Sequence, residues 1–394
     1  MSQKTSFINQ KKVLDDAQGE SNRWITVNGK RFHHIWLRDN CLCPKCHHPT
    51  SFQKMHDLSK LYSAPEPLSV VQEDENLIIT WKEKEPCNQS IFPISWLMDY
   101  AYDNGAECDN LHQKLELRKN KEILWDRAWI EANLPQKYES SDDNFDSWIE
   151  QIFTLGFAIL KIENVREVRN LMSQIGPIHK MEDGVEVYTV ESKPDPTDLS
   201  RTGHRLDPHN DYESFMSSPH LLQFIYCVEN ETTGGESLLV DGFKVAHDFR
   251  LAHPDYFNLL VETEPQFQQI YTDSQYYYRR SCPIIKLNTQ KQVTSVNVAT
   301  SHAYNWNLPF DKMERYYEAY LAFFSFVNHP DYKYYFRLEA GDCMVMQNFR
   351  ILHGRKAFDP NSGVRELNVS YVPWSYFTGR ENFKLFNDLY LSEH

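Results

Sequence analysis

The sequence predicts a mainly β protein with flanking helices, divided into two unequal domains. Three observations carry that expectation. Short runs rich in β-branched and aromatic residues recur from Trp24 to Trp374 and read as strands. Only a few stretches keep the longer rhythm of an amphipathic helix, and 394 residues exceed what one hydrophobic core ordinarily organises. Many short strands with few long helices favour a sandwich or barrel over a doubly wound parallel sheet.

In chain order, residues 1–23 are polar and are expected to form a flexible N-terminus. RWITVNGKRFHHIWLRDNC has the rhythm of a hairpin, and LSVVQEDENLIITW repeats it with charged residues between two strand-like runs. Residues 24–125 are therefore read as a small β-rich domain and linker, in which LHQKLELRKNKEIL is helical, and residues 126–394 as the larger domain. In YESSDDNFDSWIEQIF, Asp143 or Asn144 can cap a helix that runs into the strand-like TLGFAIL. Beyond it LLQFIYCVE, ESLLVDGF, PIIKLN, VTSVNV, DCMVMQNF and ELNVSYVPW read as strands. Residues 311–328 place Met313, Tyr316, Tyr317, Tyr320, Leu321, Phe324 and Val327 on one helical face, and these side chains are read as core. No fixed repeat period is visible, which argues against a solenoid.

Composition narrows the partners. Forty-one Lys plus Arg against fifty-five Asp plus Glu leave a net charge of −14, which disfavours a nucleic-acid backbone but not a small anion in a local cationic pocket. No apolar run is long enough for a membrane span. MSQKTSFINQKKVLDD has neither the apolar core of a secretory signal nor the character of an Arg-rich presequence, so the cytoplasm is the expected compartment. Eight cysteines are too sparse for a disulfide scaffold.

Three of those cysteines nevertheless crowd together. Cys41, Cys43 and Cys46 in DNCLCPKCHH can reach one tetrahedral ion, with Cys87 in KEPCNQS as the favoured fourth ligand. Four thiolates would close a zinc site and give it a structural role. His33, His34, His47 and His48 compete for the fourth position.

A second constellation has a different chemistry. His209 and Asp211 form an H-x-D in DPHNDYESF, and an extended chain points residues two apart in the same direction. His353 in NFRILHGRKAF adds a second imidazole, giving a 2-His-1-carboxylate face that suits non-haem Fe(II) and leaves positions open. Arg365, farther along in GVRELNVSYV, offers a guanidinium fork for the distal carboxylate of an iron-chelating 2-oxoacid. H-x-D alone is weak among sixteen histidines; the complete set is far more specific. His179, His204, His220, His247, His302 and His329 lack a paired spacing and are read as structural.

WLRDNCLCPKC, HNDY, TTGGESLLVDGF, YYYRRSCPIIKL, NFRILHGRKAF and the Arg365 segment together resemble the γ-butyrobetaine and trimethyllysine dioxygenase family. This is the carnitine-biosynthesis branch of the Fe(II)/2-oxoglutarate oxygenases, and the chain looks like a divergent, fungal-like member over nearly its whole length. The resemblance implies a double-stranded β-helix (jelly-roll) catalytic core with a small β-rich N-terminal zinc domain, and a homodimer. It also implies hydroxylation of a small-molecule substrate using Fe(II), 2-oxoglutarate as cosubstrate, structural Zn(II) and supportive ascorbate. By position, His209, Asp211 and His353 match the iron ligands, Arg365 the 2-oxoglutarate grip, and Tyr212 and Tyr371 substrate-pocket tyrosines.

Departures from the family pattern concern the substrate. The usual F-Y-G-x-x-W segment is replaced by MEDGVEV, residues 181–187. That withdraws aromatic faces from a quaternary ammonium and leaves Glu182 and Asp183 as candidate Coulombic substrate contacts. The A-Y-T ahead of the metal histidine and an Asn-Asn pair are also missing, so Tyr188, Tyr212, Tyr371 and Trp374 are the side chains that could rebuild a cage. Hydroxylation of γ-butyrobetaine to L-carnitine is the first expectation, 3-hydroxylation of trimethyllysine the second, and another small amine or carboxylate the third. A catalytically silent structural or interaction protein is the alternative from a different class, and the complete donor set with Arg365 argues against it.

Overall fold

The computed structural model describes residues 12–13, 23–61, 64–103, 121–140, 144–181, 184–191, 199–212, 220–271, 275–299 and 306–390. The chain divides into Met1–Arg118 and Lys119–His394, a little ahead of position 125 read from the sequence. Trp125 already packs in the core of the second unit and donates its indole N–H to Leu155 O at 2.8 Å. Most of residues 1–23 and residues 111–120 of LHQKLELRKNKEIL, the segment read as helical, lie outside the described residues; its last four, 121–124, are not helical.

In the first unit, Trp24–Val27 and Lys30–His33 form the expected hairpin. The hairpin leads directly into the helix His34–Asp39, a correction to the extended reading of HHIWLRDNC. The helix wins because His34, Leu37 and Arg38 stand at i, i+3 and i+4 and bury one stripe. Lys12–Val13, Pro67–Glu73, Asn76–Trp81 and Gln89–Pro93 make an antiparallel sheet. Its alternating Leu77, Ile79 and Trp81 are all but inaccessible and pack with Phe32, Leu37 and Phe92.

The second unit is built on two sheets. The larger has the order Lys137–Glu139, Phe157–Lys161, Asp342–Gln347, Leu221–Asn230, Arg365–Pro373, Tyr188–Glu191; only the first pair is parallel. The smaller has the antiparallel order Leu206–His209, Ile351–Arg355, Ser237–Asp241, Tyr334–Phe336. Leu221, Ile225, Met344, Met346, Leu367 and Val369 from the first sheet meet Leu239, Ile351, Tyr334 and Phe336 from the second in one interior. The intervening positions face helices. Leu222, Phe224, Val345 and Val372 pack with residues of Phe145–Leu155 and Val165–Ile175. Leu238, Val240 and Leu352 pack with residues of Gly242–Ala252, Pro254–Glu262 and Phe310–Val327. Strands covered on both faces read as unbroken apolar runs, which is why they were visible in the sequence. The arrangement is the expected double-stranded β-helix with flanking helices.

Two local expectations change. On the helix Phe310–Val327 the buried residues are Tyr316, Ala319, Tyr320, Phe323 and Val327, whereas Tyr317 is 44% and Leu321 62% exposed. Both exposed residues lie one position beyond the true stripe, and hydrophobic character alone did not separate them. Asn144 stands at the N-cap of Phe145–Leu155 without a side-chain cap bond, and Asp143 lies outside the described residues. A fully buried Arg350–Asp241 pair at 2.9 Å fixes the entry to the strand Ile351–Arg355: Arg350 also donates to Thr154 O, and Asp241 accepts from Phe243 N. No helix of the described residues is long and apolar enough to cross a membrane.

Candidate active site

Sheet alternation points Ile351 and His353 into the interior while Leu352 faces the helices. His353 is the Cα partner of His209, the last residue of the neighbouring strand, and their ring centroids are 4.4 Å apart. His209 Nδ1 lies 2.9 Å from Asp207 O, which favours a proton on Nδ1 and leaves Nε2 as the lone-pair donor. Asp211 is not on the strand with His209, as an extended H-x-D would require; it lies just past the strand end in a turn. Hydrogen bonds account for that geometry. Asn210 exchanges backbone and side-chain bonds with Val298, and Asn348 accepts from Asp211 N at 3.0 Å and donates to Asp211 O at 2.9 Å.

The turn carries the carboxylate back between the imidazoles. His209 Nε2 is 3.6 Å from Asp211 Oδ1, and His353 Nε2 is 3.6 Å from Asp211 Oδ2. All three ligand atoms lie within 4.8 Å of one another, so one ion can take all three. Burial pushes His353 down to about 4, with His209 adding to the effect and Asp211 opposing it; the ring is neutral near pH 7 and its lone pair is available. Two imidazoles and one carboxylate whose donor atoms converge form a donor set that fits iron. Asp211 Oδ2 also accepts from Tyr371 OH and Gln223 Nε2, each at 2.6 Å. Gln223 escaped the sequence reading. Its signal was a single amide at an inward position of the otherwise apolar run LLQFIYCV.

Arg365 opens the strand Arg365–Pro373, opposite Asn230. It is 6% exposed, its Nε has no hydrogen-bond partner among the described residues, and its guanidinium lies 5.2 Å from the Phe358 ring centroid. Burial, reinforced by Arg337, pushes it down to about 10, so an anionic partner would relieve an unfavourable charge. The TTGG turn lies beside this guanidinium: a Cβ on Gly235 would stand 3.5 Å from Arg365 Nε. Gly234 has φ +85°, and a Cβ there would stand 2.5 Å from Ala357 O, a place only glycine can occupy.

The cysteines form a separate cluster in the first unit. Cys41, Cys43, Cys46 and Cys87 bring their sulfurs within 4.8 Å of one another. Cys41 and Cys46 stand 3.6 and 3.5 Å from Cys87 Sγ. Neighbouring thiols and a 3.1 Å bond from Arg38 pull Cys87 down to about 4, while burial pushes Cys46 up to about 12. Four sulfurs at this spacing are compatible with a closed tetrahedral zinc site. None of His33, His34, His47 and His48 joins the cluster.

A family model described as taurine catabolism dioxygenase TauD, TfdA family matches residues 118–371. The chain belongs to that family. A second model, described as γ-butyrobetaine hydroxylase-like, N-terminal, matches residues 22–98. A γ-butyrobetaine dioxygenase from Pseudomonas sp. (strain AK-1) is 29% identical over 90% of this chain and 91% of its own length. A mitochondrial trimethyllysine dioxygenase from Gallus gallus is 25% identical over 87% of this chain and 80% of its own. Among solved structures, a putative α-ketoglutarate-dependent taurine dioxygenase from Burkholderia xenovorans shares 13% identity at a TM-score of 0.46, covering 61% of this chain and 90% of that one.

In this TauD/TfdA-family dioxygenase the structure brings two of the expected substrate residues beside the metal donors. Tyr212 and Tyr371 meet edge to face at 4.9 Å, and His179, read as structural from the sequence, meets Tyr212 the same way at 5.4 Å. Tyr212 has φ +71°, an uncommon conformation for a bulky residue, imposed by the turn that aims Asp211. Tyr188 packs on the same interior cluster. Trp374 does not join it; it packs with Phe153, Phe349 and Phe377. Glu182 and Asp183 lie outside the described residues.

Proposed function

We propose that this dioxygenase hydroxylates γ-butyrobetaine to L-carnitine in an Fe(II)- and 2-oxoglutarate-dependent reaction that consumes O₂ and releases succinate and CO₂. The observation that carries the reading is the convergence of His209, Asp211 and His353 in the β-helix interior, in a chain that also buries Arg365 with its Nε lacking a hydrogen-bond partner among the described residues. The 29% identical γ-butyrobetaine dioxygenase spanning both domains supports the substrate.

His209, Asp211 and His353 would hold Fe(II), which lets O₂ take two electrons from 2-oxoglutarate and two from the substrate C–H bond. The residues supply position and exclusion. Arg365 would grip the far carboxylate of 2-oxoglutarate through a charge-assisted fork, strong because the site is buried. Tyr371 and Gln223 hold one oxygen of Asp211 and so restrain its orientation. Leu239, Ile351 and Met346 line the same interior and keep bulk water out. In the first domain Cys41, Cys43, Cys46 and Cys87 would hold one structural zinc. Homodimeric assembly, a cytoplasmic location and ascorbate as a supporting reductant complete the proposal. Trimethyllysine is the second reading, supported by the 25% identical Gallus gallus relative.

Succinate release measured with Fe(II), 2-oxoglutarate, ascorbate and each candidate decides among these readings. Stimulation by γ-butyrobetaine is expected. Stimulation by trimethyllysine alone would select the second reading, and stimulation by neither would sink both. A protein that fails to bind 2-oxoglutarate in the presence of Fe(II) under anaerobic conditions would refute the cofactor assignment itself.

A further inference from the structure

Tyr188 is the tyrosine best placed to replace a lost aromatic wall, yet its ring is already covered. It opens the strand Tyr188–Glu191 and is the Cα partner of Val369; Tyr188, Val369 and Tyr371 all pack on the interior cluster. Same-face residues on the diagonal of neighbouring antiparallel strands lie about 7–8 Å apart. Tyr188 therefore stands one side-chain layer from Tyr371, whose hydroxyl touches Asp211. The Arg201 guanidinium carbon lies 4.7 Å from the Tyr188 ring centroid.

Arg201 is held in place from two sides. Its Nη2 donates to Thr189 O at 3.2 Å. Its neighbours Ser200 and Thr202 are fixed through their carbonyls by Arg355, at 3.2 and 2.6 Å, and Arg355 also holds His204 O. Arg355 is itself 4% exposed and sits two residues beyond His353 on the same strand. Among the described residues Arg201 Nε, itself buried, has no acceptor, and no carboxylate pairs with Arg201. A shielded, charged donor with no acceptor is costly, and an incoming oxyanion would remove that cost. A fixed positive charge on this ring also repels a quaternary ammonium from the face that would otherwise attract it.

We propose that Arg201 is a specificity-determining residue that receives the substrate's carboxylate, orienting a zwitterionic substrate with its acid end toward Tyr188 and its cationic end away from it. The assignment rests on the proposed small-carboxylate substrate and names the group that reads its acid end.

The test is anaerobic isothermal titration of the Fe(II)- and 2-oxoglutarate-loaded protein with γ-butyrobetaine and with its primary amide, probes that share the cation and differ in the carboxylate. The wild-type protein is expected to bind the acid about ten- to a hundredfold more tightly than the amide, the range for a hydrogen bond to a charged group. Arg201→Met should erase that preference with melting temperature and 2-oxoglutarate binding unchanged, and Arg201→Lys should keep part of it. In turnover, the Arg201→Met change should fall on KM, with kcat held within about twofold. A wild-type protein without acid preference, or a preference that survives Arg201→Met, would overturn the assignment. Should neither probe bind, the γ-butyrobetaine reading fails by itself, and butyrate against butyramide is compared on the same proteins. Acid-selective binding lost in Arg201→Met then supports Arg201, and its absence overturns it.

Discussion

The two donor clusters differ in nearly every physical respect. The cysteine cluster has four like donors, three of them from the single segment Cys41–Cys46, with Cys41 and Cys46 at most 1% exposed and Arg38 against the fourth sulfur. The other has three unlike donors from a strand end, a turn and a second strand. Among the described residues Gln223, His353 and Arg365 each keep one buried polar atom without a hydrogen-bond partner. A short segment with little apolar content holds itself poorly, so a metal bound there would contribute folding free energy. The open cluster is held by sheet pairing and by Asn210, Asn348, Tyr371 and Gln223 before any ion arrives. On the proposed reading, metal at the first cluster would stabilise the fold, whereas the fold already positions the donors of the other.

Removing one donor from each cluster tests that contrast most severely. Asp211→Ala is expected to reduce substrate-dependent succinate formation to background. Its cost to the fold is only the loss of hydrogen bonds at one carboxylate, about 1–3 kcal/mol, so the melting curve should shift modestly and stay cooperative. Full activity in this variant would refute the iron site. Cys41→Ser should do the reverse, lowering zinc from about one per chain to near zero and unfolding the N-terminal unit, because a structural zinc contributes on the order of 10 kcal/mol. Metal analysis and far-ultraviolet circular dichroism of the purified variant measure both effects; wild-type zinc content would contradict the assignment.

The contrast also explains what could be read from the sequence. Donor identities are local facts: Cys41, Cys43 and Cys46 sit together, and the H-x-D with His353 and Arg365 has few other uses. Strands buried on both faces were equally visible as apolar runs. The helix His34–Asp39 was missed because only Leu37 of its buried stripe His34, Leu37 and Arg38 is apolar, and Tyr317 and Leu321 were misplaced because hydrophobic character does not fix the angle of a buried stripe. The partners of Asp211 were beyond reach for another reason. Asn348 is 137 residues away, and Gln223 meets Tyr371 across 148, so these contacts exist only once strand order and register are set.

Arg365→Met probes the open cluster at its far end. The KM for 2-oxoglutarate should rise about tenfold to a hundredfold, the range for losing a charge-assisted bond to a buried carboxylate. The protein should fold as well as the wild type or better, since an unpaired buried guanidinium is itself unfavourable. An unchanged KM would remove Arg365 from the cosubstrate site. A large loss of stability would mean that its stacking on Phe358 holds the fold, making this end of the interior resemble the cysteine cluster more than the iron face.

The smallest expected effect comes from Tyr371→Phe, and it asks whether the open cluster is truly set before metal arrives. The substitution keeps the ring that meets Tyr212 at 4.9 Å and deletes only the hydroxyl 2.6 Å from Asp211 Oδ2. Gln223 Nε2, also at 2.6 Å, remains as the second donor, so Asp211 keeps most of its orientation. Outer hydrogen bonds of this kind are worth about 10–100-fold in metal affinity, and the lower end is expected while Gln223 persists. Adding Gln223→Leu leaves Oδ2 with neither donor, and because both bonds end on one oxygen the two losses should exceed their sum. Titration with Co(II) in the absence of cosubstrate measures each step without turnover. Wild-type affinity in the double variant would show that the Asn348 turn alone aims the carboxylate, placing the preorganisation in the backbone rather than in Tyr371 and Gln223.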